Sequence, residues 1–232
     1  MRFFPLAMAE MRGEGVCVAG VDADNGQWVR PVAARYRCVF PEQASQFEWN
    51  NYHELNLGGQ QPRGSDDDPL GHHAEDRLLV SVSRREPVAS AKQKHDLLER
   101  VLDRDLAIGL SGGRRSLFLL QPRGFSYGVD KYGKPRFVFR PPLLAMADAL
   151  TSSCLELQRI AASKWGIPCT CSRWATFAQA RWPNAAVSEH TLRELDSSAS
   201  LYLTLSLSAL HDEKYWLIVA GAHVVGKDAI WL

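Results

Sequence analysis

Seven cations stand against one acid between residues 114 and 140: Arg114, Arg115, Arg123, Lys131, Lys134, Arg136 and Arg140, opposed by Asp130. Six aromatic side chains are interleaved with them: Phe118, Phe125, Tyr127, Tyr132, Phe137 and Phe139. Ammonium and guanidinium groups displace counterions from phosphates, and aromatic faces stack on unpaired bases for about 1–3 kcal/mol each. This is the composition a nucleic-acid groove needs. The competing reading puts Phe118, Phe137 and Phe139 in a core and leaves the cations to solvate a hairpin. Within the segment, Ser126 and Gly128 flank Tyr127 and point to an exposed turn, which makes Tyr127 the leading stacking residue alongside Phe125 and Tyr132. A smaller basic cluster, Arg30, Arg35, Tyr36 and Arg37, adds Arg30, Arg35 and Arg37 to the expected contacts.

Other reactive residue types form weaker patterns. Cys169 and Cys171 offer two thiolates, but a structural zinc site needs four ligands in paired spacings. His72, His73 and Asp76 fall in a loop-like stretch without a partner cluster, and Asp66, Asp67 and Asp68 read as loop acids that repel one another. No metal and no cofactor is expected. The chain lacks a phosphate-binding Lys loop, a Gly-x-Ser-x-Gly elbow and a His-Glu-x-x-His helix. Ser111-Gly112-Gly113 before Arg114 and Arg115 resembles an anion-binding turn, although a helix end explains it better. A Cys171–His190 pair is open only as a spatial encounter. No catalytic residue is assigned.

The elements that must position these residues are mostly short. The chain has 232 residues, 46% apolar and 23% charged, with a net charge of +1, so any polyanion site must be a local patch. Five cysteines at irregular spacings read as a reduced thiol set. With no long apolar run and a poor signal-peptide pattern, the expectation is a cytoplasmic chain that meets no membrane. Gly15 to Asp22 reads as a strand, Asp24-Asn25-Gly26 as a tight turn, and Gln27 to Val32 as the returning strand, with Pro31 ending it or marking an edge. Residues 58–76 read as a long loop. A strand covers 77–83 and a helix capped by Ser90 covers 90–106. Strands follow at 115–121 and 135–140, with Gly turns at Gly124, Gly128 and Gly133. Residues 143–162 are open between strand and helix. A short strand at 167–171 and a helix capped by Ser188 precede the period-two strand 201–208 and its partner 214–220. Short strands with few helices predict a mainly β (α+β) fold of small barrels with inserted helices.

Two segments carry a family resemblance. Val18-Ala19-Gly20-Val21-Asp22-x-x-x-Gly26-x-Trp28-Val29-Arg30-Pro31-Val32 resembles the opening of the dual OB-fold domain family. Leu201 to Ser208 with Tyr215 to Gly221 resembles its closing hairpin, and residues 40–150 are poorly matched. Cys169-Thr170-Cys171-Ser172-Arg173-Trp174 sits where that family carries a Thr-Asp-x-x-Trp-like turn, with Cys171 in place of the acid. The resemblance implies two OB-like barrels, here residues 1–140 and 141–232 packed as one unit. It also implies a role in nucleic-acid recognition or sensing within prokaryotic antiviral defence assemblies.

The expected function is therefore a non-enzymatic nucleic-acid-binding module that works with other protein subunits. Two alternatives remain: a subunit docking an acidic partner protein, and a metal-dependent nuclease using the Asp66–Asp68 or His72–His73 loop.

Overall fold

The structure, a computed structural model, describes residues 1–11, 15–34, 36, 38–60, 74–88, 90–104, 115–139, 160–161, 166–183, 185–208 and 215–232. It is mostly β with few helices. Strands β1 (Arg2–Glu10), β2 (Val16–Asp22), β3 (Trp28–Val32), β4 (Asn51–Gln60) and β5 (Asp76–Pro87) close a five-stranded barrel in the order β1-β2-β3-β5-β4. Helix α1 (Pro41–Ala44) lies between β3 and β4, and α2 (Ala91–Val101) follows the barrel.

The expected opening hairpin forms. The Asp22 carboxylate accepts from the Asp24 amide at 3.0 Å and the Asn25 side chain at 2.9 Å, and Gly26 takes φ 76°. Pro31 does not end β3. The strand pairs with β2 only through Gly20↔Val29 and Val21↔Trp28, then turns to β5 through Arg30↔Asp76, Pro31↔Arg77 and Val32↔Leu78. Proline sits where the β2 ladder has already ended, so its missing N–H costs no ladder bond. Strand β4, which contains Gly58 and Gly59 and was expected in part as loop, supplies a wall of the barrel by pairing with β1 and β5. Ser90 caps α2 by accepting from the Gln93 amide at 3.1 Å, as its position predicts, and the helix ends at Val101 rather than 106.

Two further sheets enclose one core. The first contains β6 (Leu117–Leu120), β12 (Ser200–Leu207), β13 (Tyr215–Val225) and β9 (Ile160–Ala161). The second runs β10 (Ile167–Pro168), β8 (Pro135–Phe139), β7 (Phe125–Val129), β11 (Val187–Ser188). A bridge from Cys169 to Val219 links them. Helices α3 (Ser172–Arg181) and α4 (Glu189–Leu195) pack here, the latter capped by Ser188 as expected. Trp174, Phe118, Phe137 and the leucines of β12 fill the core. Hydrogen bonding thus places 117–139 with the strands after residue 160. β12 alternates in sequence, yet both its faces are buried: the leucines point into this core, and Tyr202 and Thr204 toward the barrel.

The barrel and the two sheets meet through paired irregularities. The β1–β2 register shifts between Pro5 and Ala7, making Leu6 a bulged residue whose carbonyl leaves the ladder. That carbonyl accepts from Thr204 Oγ1 at 2.8 Å and His223 Nε2 at 3.1 Å. The β12–β13 ladder has its own shift, pairing Thr204 with Gly221 and Leu205 with Val219. A Cβ on Gly221 would lie 1.8 Å from the Leu6 oxygen, so only glycine allows the approach. Phe4, Leu6, Tyr52, Leu98, Leu119 and Tyr202 pack across the seam.

His223 makes this seam acid-sensitive. Its Nε2–H is used on Leu6, and burial, the nearby Lys94 ammonium and the Arg173 guanidinium hold its pKa well below 6.5. The unfolded chain therefore binds a proton near pH 6.5 that the folded chain refuses. Stability should fall as pH drops below about 6.5, by up to ~1.4 kcal/mol per pH unit. His53, depressed mainly by burial, adds in the same direction. Urea midpoints at successive pH values should show the slope, and His223→Gln, which keeps a donor but does not titrate, should flatten it. An unchanged slope would refute the assignment.

Candidate nucleic-acid interface

The basic segment does not gather into one patch. Arg30 is 4% exposed and ion-paired inside the barrel wall, with its Nη2 2.8 Å from Glu75 Oε1 and its Nε 3.0 Å from Asp76 Oδ1. Ser116, just ahead of β6, completes the network by accepting from Arg30 and donating its backbone amide to Glu75 at 3.1 Å. Burial alone would lower the Arg30 pKa, but the two carboxylates raise it above its ordinary value. Arg30 is a structural cation, and its assignment to the groove is corrected. Arg115 pairs with Asp103 and lies over the Phe118 ring. Arg35, Arg37, Arg114 and Arg140 lie outside the described residues.

Phe125 and Tyr127 are likewise corrected. β7 alternates, with Phe125 and Tyr127 pointing inward at 5% and 7% exposure and Ser126 and Gly128 outward. The Tyr127 ring packs 5.0 Å from Phe137 and 5.4 Å from Trp174, and burial beside Cys169 and Cys171 pushes its hydroxyl up to about 12. Small flanking residues mark the outer positions of a strand here, not a turn. Phe118, Phe137 and Phe139 are core, as the competing reading held.

What remains exposed is the turn joining β7 to β8. Asp130 builds it: one carboxylate oxygen accepts from the Tyr132 amide at 2.8 Å and the Lys134 amide at 3.0 Å, and the other takes Arg136 Nε at 2.6 Å. The Arg136 side chain and the Lys134 amide hold the Asp130 carboxyl at about 2. Gly133 supplies the positive φ of 74°. The single acid of the segment is thus neutralised by Arg136, which also donates to the Gly166 carbonyl. Lys131, Tyr132 and Lys134 project from the turn, with Tyr132 72% exposed and the Lys131 ammonium 4.9 Å from its ring centre.

Beside this turn runs a groove of about 650 Å³. Tyr127, Gly128, Val129, Gly133 and Pro135 form one wall, Ala175, Ala178, Gln179 and Trp182 the other, and Ala185, Ala186 and Val187 contribute the remainder. Among the described residues no carboxylate lines it. The α3 wall is not legible in sequence because it begins some forty residues downstream of the turn; the tryptophans at 174 and 182 are its only sign. Arg123 is exposed but lines a different, polar hollow with Glu189 and Arg193.

The catalytic alternatives find no assembled site among the described residues. Cys171 is buried in the core, whereas His190 sits on the surface against Glu194 at 3.3 Å. Burial raises both Cys169 and Cys171, the former to about 12, so neither is a poised thiolate. The described residues include no cluster of three metal-ligating side chains; Asp66 to Asp68, His72 and His73 lie outside them. Asp76 belongs to the Arg30 network. Among the described residues no helix is long and apolar enough to cross a membrane.

A closed barrel in the order β1-β2-β3-β5-β4, with β3 and β5 parallel and all other ladders antiparallel, is a five-stranded Greek-key barrel of the OB kind. The chain belongs to the dual OB-containing domain family, whose model matches residues 1–137. The match takes in the opening hairpin and residues 40–137 of the span 40–150 that the resemblance matches poorly; the β12–β13 hairpin and the Cys169–Trp174 turn lie beyond it. No curated protein and no solved structure matches the chain.

Proposed function

We propose that this protein is a non-catalytic nucleic-acid-binding module, acting as a sensor or subunit of a prokaryotic defence assembly. OB barrels are recurrent oligonucleotide-binding scaffolds, and the family resemblance supports the defence setting. The observation that carries the reading is the turn at 130–134. It holds an exposed tyrosine between two exposed lysines, with the only local acid already engaged by Arg136. Cations beside a bare aromatic face form the minimal unit for phosphate neutralisation plus base stacking.

Fluorescence anisotropy of the intact chain with single-stranded DNA, single-stranded RNA and duplex DNA, each over a salt series, tests it. Binding should weaken with salt. The Lys131→Ala/Lys134→Ala variant should bind less tightly and flatten the log–log salt slope by about 1.4 to 1.8, since each lost phosphate contact removes roughly 0.7 to 0.9. Absence of binding to all three at low salt would overturn the proposal and favour an acidic protein partner.

A further inference from the structure

Resting on that reading, we infer that the groove between the β7–β8 turn and α3 takes a single strand with its bases unstacked, and excludes a duplex. Its walls are alanine, glycine, valine and proline, with Gln179, Trp182 and the edge that a largely buried Tyr127 leaves exposed. The described lining residues offer a phosphate no charge. Such a surface gains by covering apolar base faces, and a duplex keeps those faces buried in its own stack. Among the described residues the lining carries no charge, but its Gly133 and Pro135 adjoin the exposed Lys131, Tyr132 and Lys134 in the turn. A strand crossing this turn would lay its phosphates on the lysines, stack one base on Tyr132 and lower the next into the groove.

Gln179 adds selectivity. It is an exposed side chain on the α3 wall and, among the described residues, the one amide side chain lining the groove. A carboxamide carries both a donor and an acceptor and can pair with the edge of a base that has left its partner. The barrel cannot offer an equivalent face on β2 and β3, because both strands are buried along nearly their whole length. Ala19 packs with Leu117 and Ala220 of the adjoining sheet.

Gly128 allows a clean test. It lines the groove in extended backbone, and a Cβ added there meets nothing within 4 Å. Gly128→Leu should therefore fold normally and fill the groove, with unchanged thermal melting as the control. Affinities for a single-stranded oligonucleotide and for a blunt duplex of the same sequence would be measured for the wild type, Gly128→Leu, Tyr132→Ala and Gln179→Ala. The wild type should prefer the single strand. Gly128→Leu and Tyr132→Ala should each weaken single-strand binding about tenfold, and Gln179→Ala should change the ranking of homopolymer strands. Weak duplex binding should be insensitive to Gly128→Leu. Full single-strand affinity in Gly128→Leu, or a wild-type preference for duplex, would overturn the groove assignment while leaving nucleic-acid binding intact. A wild type that binds neither would defeat the function itself.

Discussion

Replacing Arg30 with Met should cost about 3–5 kcal/mol of folding free energy, the loss typical when one partner leaves a buried ion pair. The guanidinium pairs with both Glu75 and Asp76, and all three side chains are nearly inaccessible. Removing it leaves two buried carboxylates in the barrel wall without their guanidinium. It also loosens Ser116, whose carbonyl receives the Leu207 amide at 2.8 Å and so fixes the start of β6 against β12. Arg30→Lys should rescue little, because one ammonium cannot reproduce a planar fork that contacts Glu75, Asp76 and Ser116 together. The triple change Arg30→Met, Glu75→Gln and Asp76→Asn should recover part of the loss by removing the charges as a set. Urea unfolding measures all three variants. A loss under about 1 kcal/mol for Arg30→Met would show that the network carries little of the fold's stability.

Tyr127→Ala is the second large effect, at about 3–5 kcal/mol, as expected for an aromatic ring lost from a packed core. The ring sits against Phe137 and Trp174, and its removal opens a cavity beneath the groove. Tyr132→Ala should change stability by no more than about 0.5 kcal/mol, since that ring is mostly bare. The two tyrosines, five residues apart, therefore separate folding from binding: one variant should melt early, the other should fold fully and bind poorly. Equal melting behaviour would contradict the inward assignment of Tyr127.

Local signals were legible in the sequence and encounters between distant segments were not. The Asp22–Gly26 turn and the helix caps at Ser90 and Ser188 depend on neighbours within a few residues, so each reads directly. Arg30 was misread because its carboxylates lie forty-five residues away, beside a stretch whose glycines, prolines and acids look like loop. β7 was misread for a subtler reason. Ser126 and Gly128 occupy the outward positions of the strand, Gly128 on the groove, and small residues in a short segment mimic a turn. The candidate site itself was half visible: Lys131, Tyr132 and Lys134 stood out as cations around an aromatic residue, while the α3 wall depends on tertiary packing.

The pairing of β6 with β12 bears on how the chain can be divided. The family match closes at residue 137, and a fragment cut there would keep β6, β7 and most of β8. It would lose β10, β11 and β12, the strands that saturate their edges. Phe118, Leu120 and Phe137 would face water, and open ladders would offer themselves to other copies. Homology and strand pairing therefore have different borders in this protein: the matched segment ends before the strands that pair with β6, β7 and β8.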